Sequence, residues 1–247
     1  RRLTPFILQI LGTVCYSSTE QAHTPGLRYL KLPMSKALNP DKALIFRITH
    51  RDNFPWILAN GLYCANSRVR DPNFVTIGNA DLINKRASRT LPLPFDGTLS
   101  DYVPFYFTPF SPMMYNIKTG WGGIQVRENA EIIILVSSIW KLRKEGIPFL
   151  FSDRHAYLKA ARFFDDTAQL NQIDWELLQR RDFKRDPNDP AKLERYEAET
   201  LVRTHVPVKA LLGVTCYDLE TRDRITQAAE QFGVTLKTVV QPSWYFQ

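Results

Sequence analysis

One carboxylate near the C-terminal end of the chain, Glu199, stands where it could do chemistry. It comes directly before the β-branched and apolar run 200–202, which predicts the start of a buried strand. Residues 180–195, just before it, carry six Lys/Arg, four Asp/Glu, Pro187 and Pro190. An acid that projects from a strand end beneath a basic loop can stabilise a developing cation while the loop holds a polyanion. A reaction on nucleic acid needs this combination.

The basic segment has six residues that we predict to contact nucleic acid: Arg180, Arg181, Lys184, Arg185, Lys192 and Arg195. Six positive and four negative charges leave the segment at only +2, so it is not a polycationic tail. Separate contacts to a few phosphates, with Phe183 or Tyr196 available to stack on bases, are typical of single-strand binding. The alternative is structural: a charged helix end followed by a turn.

Length and composition limit the kind of fold that can position these residues. The chain has 247 residues, of which 44% are hydrophobic and 12% aromatic, enough for a sizeable core in one large or two small domains. Its net charge of +7 favours an anionic partner without requiring one. Three widely spaced cysteines argue against a disulfide framework and favour a reducing compartment. The histidine and cysteine spacing predicts no metal site.

The N-terminal residues differ from the rest of the chain. Arg1 and Arg2 precede an apolar stretch over residues 6–14 that Gln9 and Gly12 interrupt, and no A-x-A cleavage site follows. The stretch is too short to span a bilayer, so we predict no membrane association. We expect a poorly ordered extension over 1–38 and a folded domain over 39–247. A docked helix and an export signal are the alternatives for the extension.

From residue 39 onward, strands and helices alternate irregularly, which favours an α+β fold. Asp52 is the expected N-cap of one helix, Pro104 suggests an edge strand or a bulge, and residues 120–123 are expected to form a turn. We expect a loop-rich segment over 65–100. The predicted strands cover 43–49, 102–107, 131–136, 149–151, 200–202, 212–217 and 234–240; the predicted helices cover 52–60, 138–145, 154–165, 172–179 and 219–232.

Six sequence blocks, in order along the chain, resemble the DarT toxins over roughly residues 40–246. Each block combines unusual residue types at fixed spacing, which makes the match specific. The blocks are Ile45-Phe46-Arg47-Ile48-Thr49-His50-x-Asp52-Asn53; Ile77-Gly78-Asn79 with Lys85-Arg86; Asp101-Tyr102-Val103-Pro104-Phe105-Tyr106-Phe107; Ser111-Pro112-Met113-Met114-Tyr115; Asp153-Arg154-His155-Ala156-Tyr157; and Arg195-Tyr196-Glu197-Ala198-Glu199.

The resemblance implies a DNA ADP-ribosyltransferase, which cleaves NAD and attaches ADP-ribose to a base in single-stranded DNA. It implies an ADP-ribosyltransferase-like α+β fold, with a split mixed β-sheet, flanking helices and an NAD cleft. NAD is then a co-substrate, and no metal is implied. In the family a macrodomain antitoxin, DarG, reverses the modification, so the implied setting is a toxin–antitoxin pair in the bacterial cytoplasm.

The resemblance also assigns roles to residues. Glu199 is the implied catalytic acid and Arg86 the second catalytic residue, while the substrate-facing loop corresponds to about 155–199. His155 is the third predicted catalytic residue, as an orienter of the base or of Arg86; a helix cap or a core position is its alternative. Arg47 stands where the family often has His. The implied NAD contacts are Arg47, Ile48, Thr49, Trp56, Cys64 and Arg86.

The chemistry of NAD cleavage supports two of these roles independently. Breaking the nicotinamide–ribose bond passes through an oxocarbenium-like state, which a carboxylate such as Glu199 stabilises. Arg86, a permanent cation with five donors, suits the pyrophosphate or a thymine ring that loses its N3 proton, although a solvated basic turn is its structural alternative. The aromatic residues 102 and 105–107 are expected to build core.

Other functions remain open at the level of sequence. A nucleic-acid-binding regulator would keep the basic loop but would not need Glu199. A protein-modifying ADP-ribosyltransferase often carries a second acid two residues before the catalytic one, and Glu197 supplies it, on the same face if the strand begins by Glu197. Among bases, thymine is favoured by the resemblance, and guanine is the alternative.

Overall fold

A mixed sheet forms the centre of the computed structural model, which describes residues 37–247. In that part of the chain the strands are β1 (Leu44–His50), β2 (Leu62–Tyr63), β3 (Tyr102–Tyr106), β4 (Ile132–Ser138), β5 (Phe149–Ser152), β6 (Phe163–Phe164), β7 (Glu199–Arg203), β8 (His205–Val206), β9 (Gly213–Cys216) and β10 (Thr238–Val240). The large sheet has the order β10-β9-β4-β1-β3-β7-β5-β6, and β2 pairs with β8. Its paired strands are antiparallel except β9 and β10, which are parallel.

The large sheet is divided between β1 and β3. Strand β1 pairs with β4 over its whole length, and β3 pairs with β7 over its whole length. Between β1 and β3, however, the register within the described chain joins Phe46 with Tyr106 alone. The Arg47 side chain bridges the separation beyond this point, because its Nη1 donates to the Pro104 carbonyl at 2.9 Å. The predicted split mixed sheet of an α+β fold is confirmed.

Pro104 does not mark an edge strand, because β3 lies between β1 and β7. The nitrogen and carbonyl of a strand residue point to the same side in an antiparallel sheet. Since the Pro104 carbonyl faces Arg47, its nitrogen also faces the separation between β1 and β3. The missing N–H therefore costs no ladder bond, which explains how a proline fits an interior strand.

Short helices surround the sheet, and local capping residues explain most of their ends. Ser138 and Asp218 each accept a backbone N–H at the start of a helix. Asp52 is not an N-cap: it lies in the 3-10 turn Arg51–Asn53, which the His50 side chain caps. The α-helices of residues 37–247 are α1 (Phe54–Asn60), α2 (Ala80–Ser88), α3 (Pro112–Thr119), α4 (Ile139–Lys144), α5 (Trp175–Arg180), α6 (Lys192–Tyr196) and α7 (Leu219–Gln231).

Three helices, α2, α3 and α6, lie where no helix was predicted, and the first two show why. Helix α2 has no buried residue, so it lacks the apolar periodicity that identifies a helix in sequence. Its signals are local: Asn79 accepts the Leu82 N–H, and basic residues fill the last turn. In α3, Ser111 accepts the Met114 N–H and Pro112 occupies the first turn. Helix α2 therefore depends on its cap alone, whereas α3 combines its cap with a face that buries Met114 and Ile117.

The helix predicted over 154–165 is wrong. Residues 154–162 form turns, and 163–164 form β6 against β5. Asp153 explains this fold-back, because its Oδ1 accepts the Arg162 N–H at 3.1 Å and its Oδ2 accepts Arg162 Nε at 2.9 Å. Asp153 is 3% exposed, so this contact lies at a buried position. A carboxylate contact across nine residues thus overrides the local helical pattern.

The core lies on both faces of the sheet. All seven residues of β4 are buried, which confirms the central strand predicted from its unbroken apolar run. Ala37 and Leu38 are also buried, and Gln179 Nε2 donates to the Leu38 carbonyl at 2.8 Å, so at least two residues before the predicted boundary at 39 pack on the domain. Residues 1–36, which hold nearly all of the predicted extension, lie outside the described part of the chain.

Two cysteines lie in the described part of the chain. Cys64 and Cys216 are both buried and both carry free thiols. Within residues 37–247, no helix is long and apolar enough to cross a membrane. The same residues contain no group of three or more His, Cys, Asp or Glu side chains placed to hold a metal ion.

Candidate active site

The candidate site centres on the Glu199 carboxylate, at the first residue of β7. Glu199 is 1% exposed, and Tyr106 of β3 lies directly opposite it in the sheet. Residues 200–202 are fully buried, so a shift of one residue would turn their side chains to the other face. The core therefore fixes the register of β7. It places a buried carboxylate beside the junction of the two halves of the sheet.

Arg86 reaches this carboxylate from α2. Its Nη1 donates to Glu199 Oε2 at 3.0 Å and to Oε1 at 3.3 Å, across 113 positions of sequence. The Arg86 side chain is only 13% exposed, so both charges are largely removed from water. Burying two charges costs several kcal/mol per ion, which good geometry repays only in part. A pair of this kind is better evidence of function than of stability.

Backbone groups and one hydroxyl hold Glu199 on its other sides. The Ala156 N–H donates to Oε1 at 3.0 Å. The Glu199 N–H donates to Ser152 Oγ at 3.3 Å, and that hydroxyl donates to the Arg154 carbonyl at 2.6 Å. Strand β5 and the turn that follows it thus determine where the carboxylate points. Fixed donors of this kind hold a charge in position before a substrate arrives.

His155 lies beside Glu199 without a hydrogen bond to it. Its Nδ1 is 3.9 Å from Glu199 Oε1, and the same nitrogen accepts the Tyr157 N–H at 3.2 Å. Burial lowers the pKa of His155, so the ring is neutral at pH 7. An Nδ1 that accepts leaves the proton on Nε2. No helix follows His155, so its predicted alternative as a helix cap is wrong.

Two guanidinium groups at the site keep donors without partners. Arg47 Nε and Arg86 Nη2 are buried and make no hydrogen bond within the described residues. Burial, and then the positive charge of Arg86, lower the pKa of Arg47 to about 10, which leaves it protonated at neutral pH. Buried donors without partners call for an explanation, and a missing ligand is one. Cationic donors bind phosphate oxygens well, so the residues present fit a pyrophosphate group.

The predicted NAD contacts on β1 continue from Arg47. Ile48 is 7% exposed, and Thr49 is 2% exposed with its Oγ1 accepting Asn53 Nδ2 at 3.0 Å. Asn53 also donates to the Val75 carbonyl at 2.9 Å and accepts the Val75 N–H at 2.8 Å. Asn53 therefore fastens the segment that leads to α2 onto the end of β1.

Trp56 and Cys64 lie around the small sheet. Trp56 packs edge-on against Tyr63, with ring centroids 6.1 Å apart, and Tyr63 stacks on His205 at 4.3 Å. The Cys64 N–H donates to the Thr204 carbonyl at 2.8 Å. The predicted NAD contacts thus form two groups, one made of Arg86 and residues of β1, and one around β2 and β8.

The second acid, Glu197, is not part of β7. It ends α6, and the strand begins only at Glu199, so the condition for a shared strand face is not met. Burial, followed by the negative charges of Glu199 and Glu194, raises the pKa of Glu197 to about 8. The Glu197 carboxyl is therefore protonated at neutral pH, and it cannot stabilise a cation by charge.

The six basic residues predicted to contact nucleic acid divide into two sets. Arg195 donates to both carboxylate oxygens of Asp189, at 2.9 and 2.7 Å, and to Asp174 at 3.2 Å. Lys192 donates to Asp182 at 2.8 Å. Arg195 and Lys192 therefore hold the loop together. The exposed set is Arg180, Arg181, Lys184 and Arg185.

Three residues of the site were not singled out from sequence: Ser152, Tyr106 and Asn53. Burial, and then the carboxylates of Glu199 and Glu197, raise the pKa of Tyr106 above its usual range. Tyr102, Phe105 and Phe107 are buried as predicted, whereas Tyr106 is half-buried at the junction of the sheet. Asn53 and Tyr106 lie in blocks that resemble the family, which was the available signal. Ser152 had none.

Comparison with known sequences identifies a family and a relative. The sequence model of the family described as "ssDNA thymidine ADP-ribosyltransferase, DarT" matches residues 46–246. A protein of Escherichia coli O127:H6 (strain E2348/69), named DNA ADP-ribosyl transferase, is 51% identical over 212 residues. That alignment covers 86% of this chain and 97% of the relative.

Comparison with solved structures finds similar folds in a Thermus protein. "Thermus sp. 2.9 DarT in complex with ADP-ribosylated ssDNA" matches with a TM-score of 0.77 at 32% identity, over 84% of this chain and 98% of that one. The same protein "in complex with NAD+" matches with a TM-score of 0.71 at 32% identity, over 83% of this chain and 98% of that one.

Proposed function

The chain belongs to the DarT family of ssDNA thymidine ADP-ribosyltransferases, and from this premise we propose how its own residues carry out the reaction. The protein is an NAD-dependent DNA ADP-ribosyltransferase that modifies single-stranded DNA. In the proposed reaction the nicotinamide–ribose bond of NAD breaks, and a bond from that ribose carbon to a thymine nitrogen forms. Nicotinamide leaves with the bonding electrons, and the thymine nitrogen releases its proton, which ends in the solvent.

Glu199 has the proposed role of stabilising the positive charge that develops on the ribose. The observation that carries this role is the buried carboxylate, which Arg86 and the Ala156 N–H hold in place. Because these donors are already positioned, little reorganisation is needed when charge appears. A carboxylate at this position can also accept ribose hydroxyls and fix the orientation of the sugar.

Arg86 and Arg47 have the proposed role of binding anionic groups. Each keeps one buried nitrogen without a partner, and each is protonated or permanently charged at neutral pH. The NAD pyrophosphate fits both, and Arg86 can also stabilise a thymine ring that has lost its N3 proton. His155, neutral and with its proton on Nε2, has a donor available to orient the base.

A single-stranded substrate matches the chemistry of the acceptor. Thymine N3 takes part in base pairing, so a duplex would have to open before that atom could react, at a cost of a few kcal/mol. Guanine remains the alternative base. The protein-modifying alternative loses support from Glu197, which lies outside β7 and is protonated.

The test is mass spectrometry of oligonucleotides incubated with the protein and NAD. We expect single strands that contain thymine to gain one ADP-ribose, and the matching duplex to stay nearly unmodified. Glu199→Gln should lower the rate by about 10²–10³-fold, because it removes one transition-state charge contact and keeps the volume. Glu197→Gln is the matched control and should cost much less. Modification of guanine-only strands, or a more severe defect in the control, would contradict the assignment.

We also propose a partner and a place of action. A macrodomain antitoxin that removes ADP-ribose from DNA, as implied by the family, would limit the damage done by this enzyme. The bacterial cytoplasm is the proposed compartment, because NAD and single-stranded DNA occur together there. Survival of cells that express the chain only when a DNA-directed ADP-ribose hydrolase is co-expressed would support this proposal, and equal survival without the hydrolase would contradict it.

A further inference from the structure

A groove with aromatic walls lies away from the Glu199 carboxylate. Its volume is about 660 Å³, which falls within the range of roughly 300–1,000 Å³ typical of small-molecule sites. Three separate parts of the chain form it: helix α3, the loop after α5 and the C-terminal segment. The residues that line it are Tyr115, Arg181, Asp182, Phe183, Lys184 and Phe246.

Three aromatic rings of the groove contact one another. Tyr115 lies 5.5 Å from Phe246 and 6.0 Å from Phe183, and Phe183 lies 5.9 Å from Phe246, all in edge-on geometry. Tyr115 is 40% exposed. Edge-on packing fixes the rings while parts of their faces stay open to the groove. Exposed aromatic faces are what unpaired nucleic-acid bases stack on.

The charges around the groove suit a phosphate. The Arg181 guanidinium lies 3.9 Å from the centre of the Phe110 ring, which holds it at the edge of the groove. Lys184 is exposed. The one acid of the lining, Asp182, accepts from Lys192 at 2.8 Å, so its charge is already balanced. The remaining charges of the lining, those of Arg181 and Lys184, are positive.

The groove is connected to the active site through the chain. Residues 181–184 belong to the loop between His155 and Glu199, the two ends of which contact each other at the carboxylate. Phe183 packs on Tyr196 with ring centroids 5.2 Å apart, and Tyr196 precedes Glu199 by three residues. A strand of DNA held in the groove would therefore lie on the same loop that holds the catalytic carboxylate.

We propose that this groove binds one nucleotide of the single-stranded DNA substrate outside the modified thymidine. Its base stacks on Tyr115 and Phe183, and its phosphate contacts Arg181 and Lys184. This proposal rests on the proposed function, since it names a second contact for the same substrate. It accounts for an aromatic groove that the NAD chemistry does not use.

The test compares the Tyr115→Ala variant with the parent protein on two substrates, one that can occupy the groove and one that cannot. For a thymine-containing 12-mer, we expect the variant to bind about 10-fold more weakly, with KM raised and kcat unchanged. For a single thymidine nucleotide, which has no neighbouring nucleotide to occupy the groove, the variant and the parent protein should behave alike. Tyr115→Phe should restore the parent KM, because it keeps the ring. Lys184→Ala should reduce the slope of log K against log salt by about 0.7.

Trp121→Ala is the matched control, because Trp121 is also an exposed aromatic residue, 71% accessible, on another loop. It should change none of these quantities. The proposal is overturned if Tyr115→Ala binds and modifies the 12-mer like the parent protein, or if it weakens NAD binding instead. Failure of the proposed function would look different, because the parent protein itself would then leave every oligonucleotide unmodified.

Discussion

Glu199 and Arg86 face each other in the site, yet the regions that carry them differ in almost every physical respect. Strand β7 pairs with β3 on one side and β5 on the other, and residues 199–202 are no more than 1% exposed. Helix α2 has no buried residue, and from residue 65 to residue 90 only Ile77 is buried. The core therefore positions the carboxylate, whereas an exposed helix carries the guanidinium, which reaches the core through its contact with Glu199.

This difference suggests how a charged site can both hold its shape and admit a ligand. Regions with few buried apolar contacts open at low free-energy cost, while core strands open only with global unfolding. Arg86 belongs to the first kind and Glu199 to the second. We expect the carboxylate to stay fixed through the reaction and the segment that carries Arg86 to move when NAD and nicotinamide exchange.

The largest effect should appear in the stability of the two regions. Leu201→Ala, at a fully buried position of β7, should lower the free energy of unfolding by about 2–5 kcal/mol, because it leaves a cavity. Ile83→Ala, at a position of α2 that is 39% exposed, should change it by less than about 0.5 kcal/mol. Urea denaturation measures both. Equal losses would show that α2 belongs to the cooperative core and would remove the contrast.

A smaller effect is expected from Arg86→Lys, a variant that distinguishes the role of the Arg86 charge from that of its planar shape. Arg86→Lys keeps the charge but loses the planar fork that contacts Glu199 and leaves Nη2 for a ligand. We expect about a 10-fold lower rate of DNA modification with little change in melting temperature. The matched control, Lys85→Arg, makes the reverse exchange at an exposed neighbour on the same helix. An equal loss of activity in Lys85→Arg would mean that the rate depends on helix α2 as a whole and not on the planar guanidinium of Arg86.

The smallest effect concerns Glu197 and depends on pH. Burial, then Glu199 and Glu194, raise its pKa from about 4.5 to about 8, so the folded state keeps a proton that the unfolded state releases. The free energy of unfolding therefore falls as pH rises from 4.5 to 8. Glu197→Gln removes this pH-dependent fall in stability, because glutamine does not titrate. We expect the variant to melt several degrees above the parent protein at pH 9 and to match it at pH 4.

The contrast also explains which parts of the fold could be predicted. The strand at Glu199 and the central strand over 131–136 were found because buried strands leave apolar runs in the sequence. The predicted helices over 52–60 and 219–232 end and begin as the structure has them, at Asn60 and Leu219, where Gly61 and the Asp218 cap are local signals. Helix α2 was missed because none of its residues is buried, so it shows no apolar periodicity. The fold-back at Asp153 was missed because it depends on hydrogen bonds from Arg162, which the pattern of residues 154–165 does not reveal.

The sequence by itself determined the candidate residues, the resemblance to the family and a charge that favours an anionic partner. These follow from residue types and spacing, which are local properties. Only the tertiary structure decided that Arg86 meets Glu199 across 113 positions, that Glu197 lies outside the strand, and that Arg195 is already paired with Asp189. Each of these facts depends on burial and on contacts between distant segments, because charge and pKa respond to the surroundings of a group and not to its position in the chain.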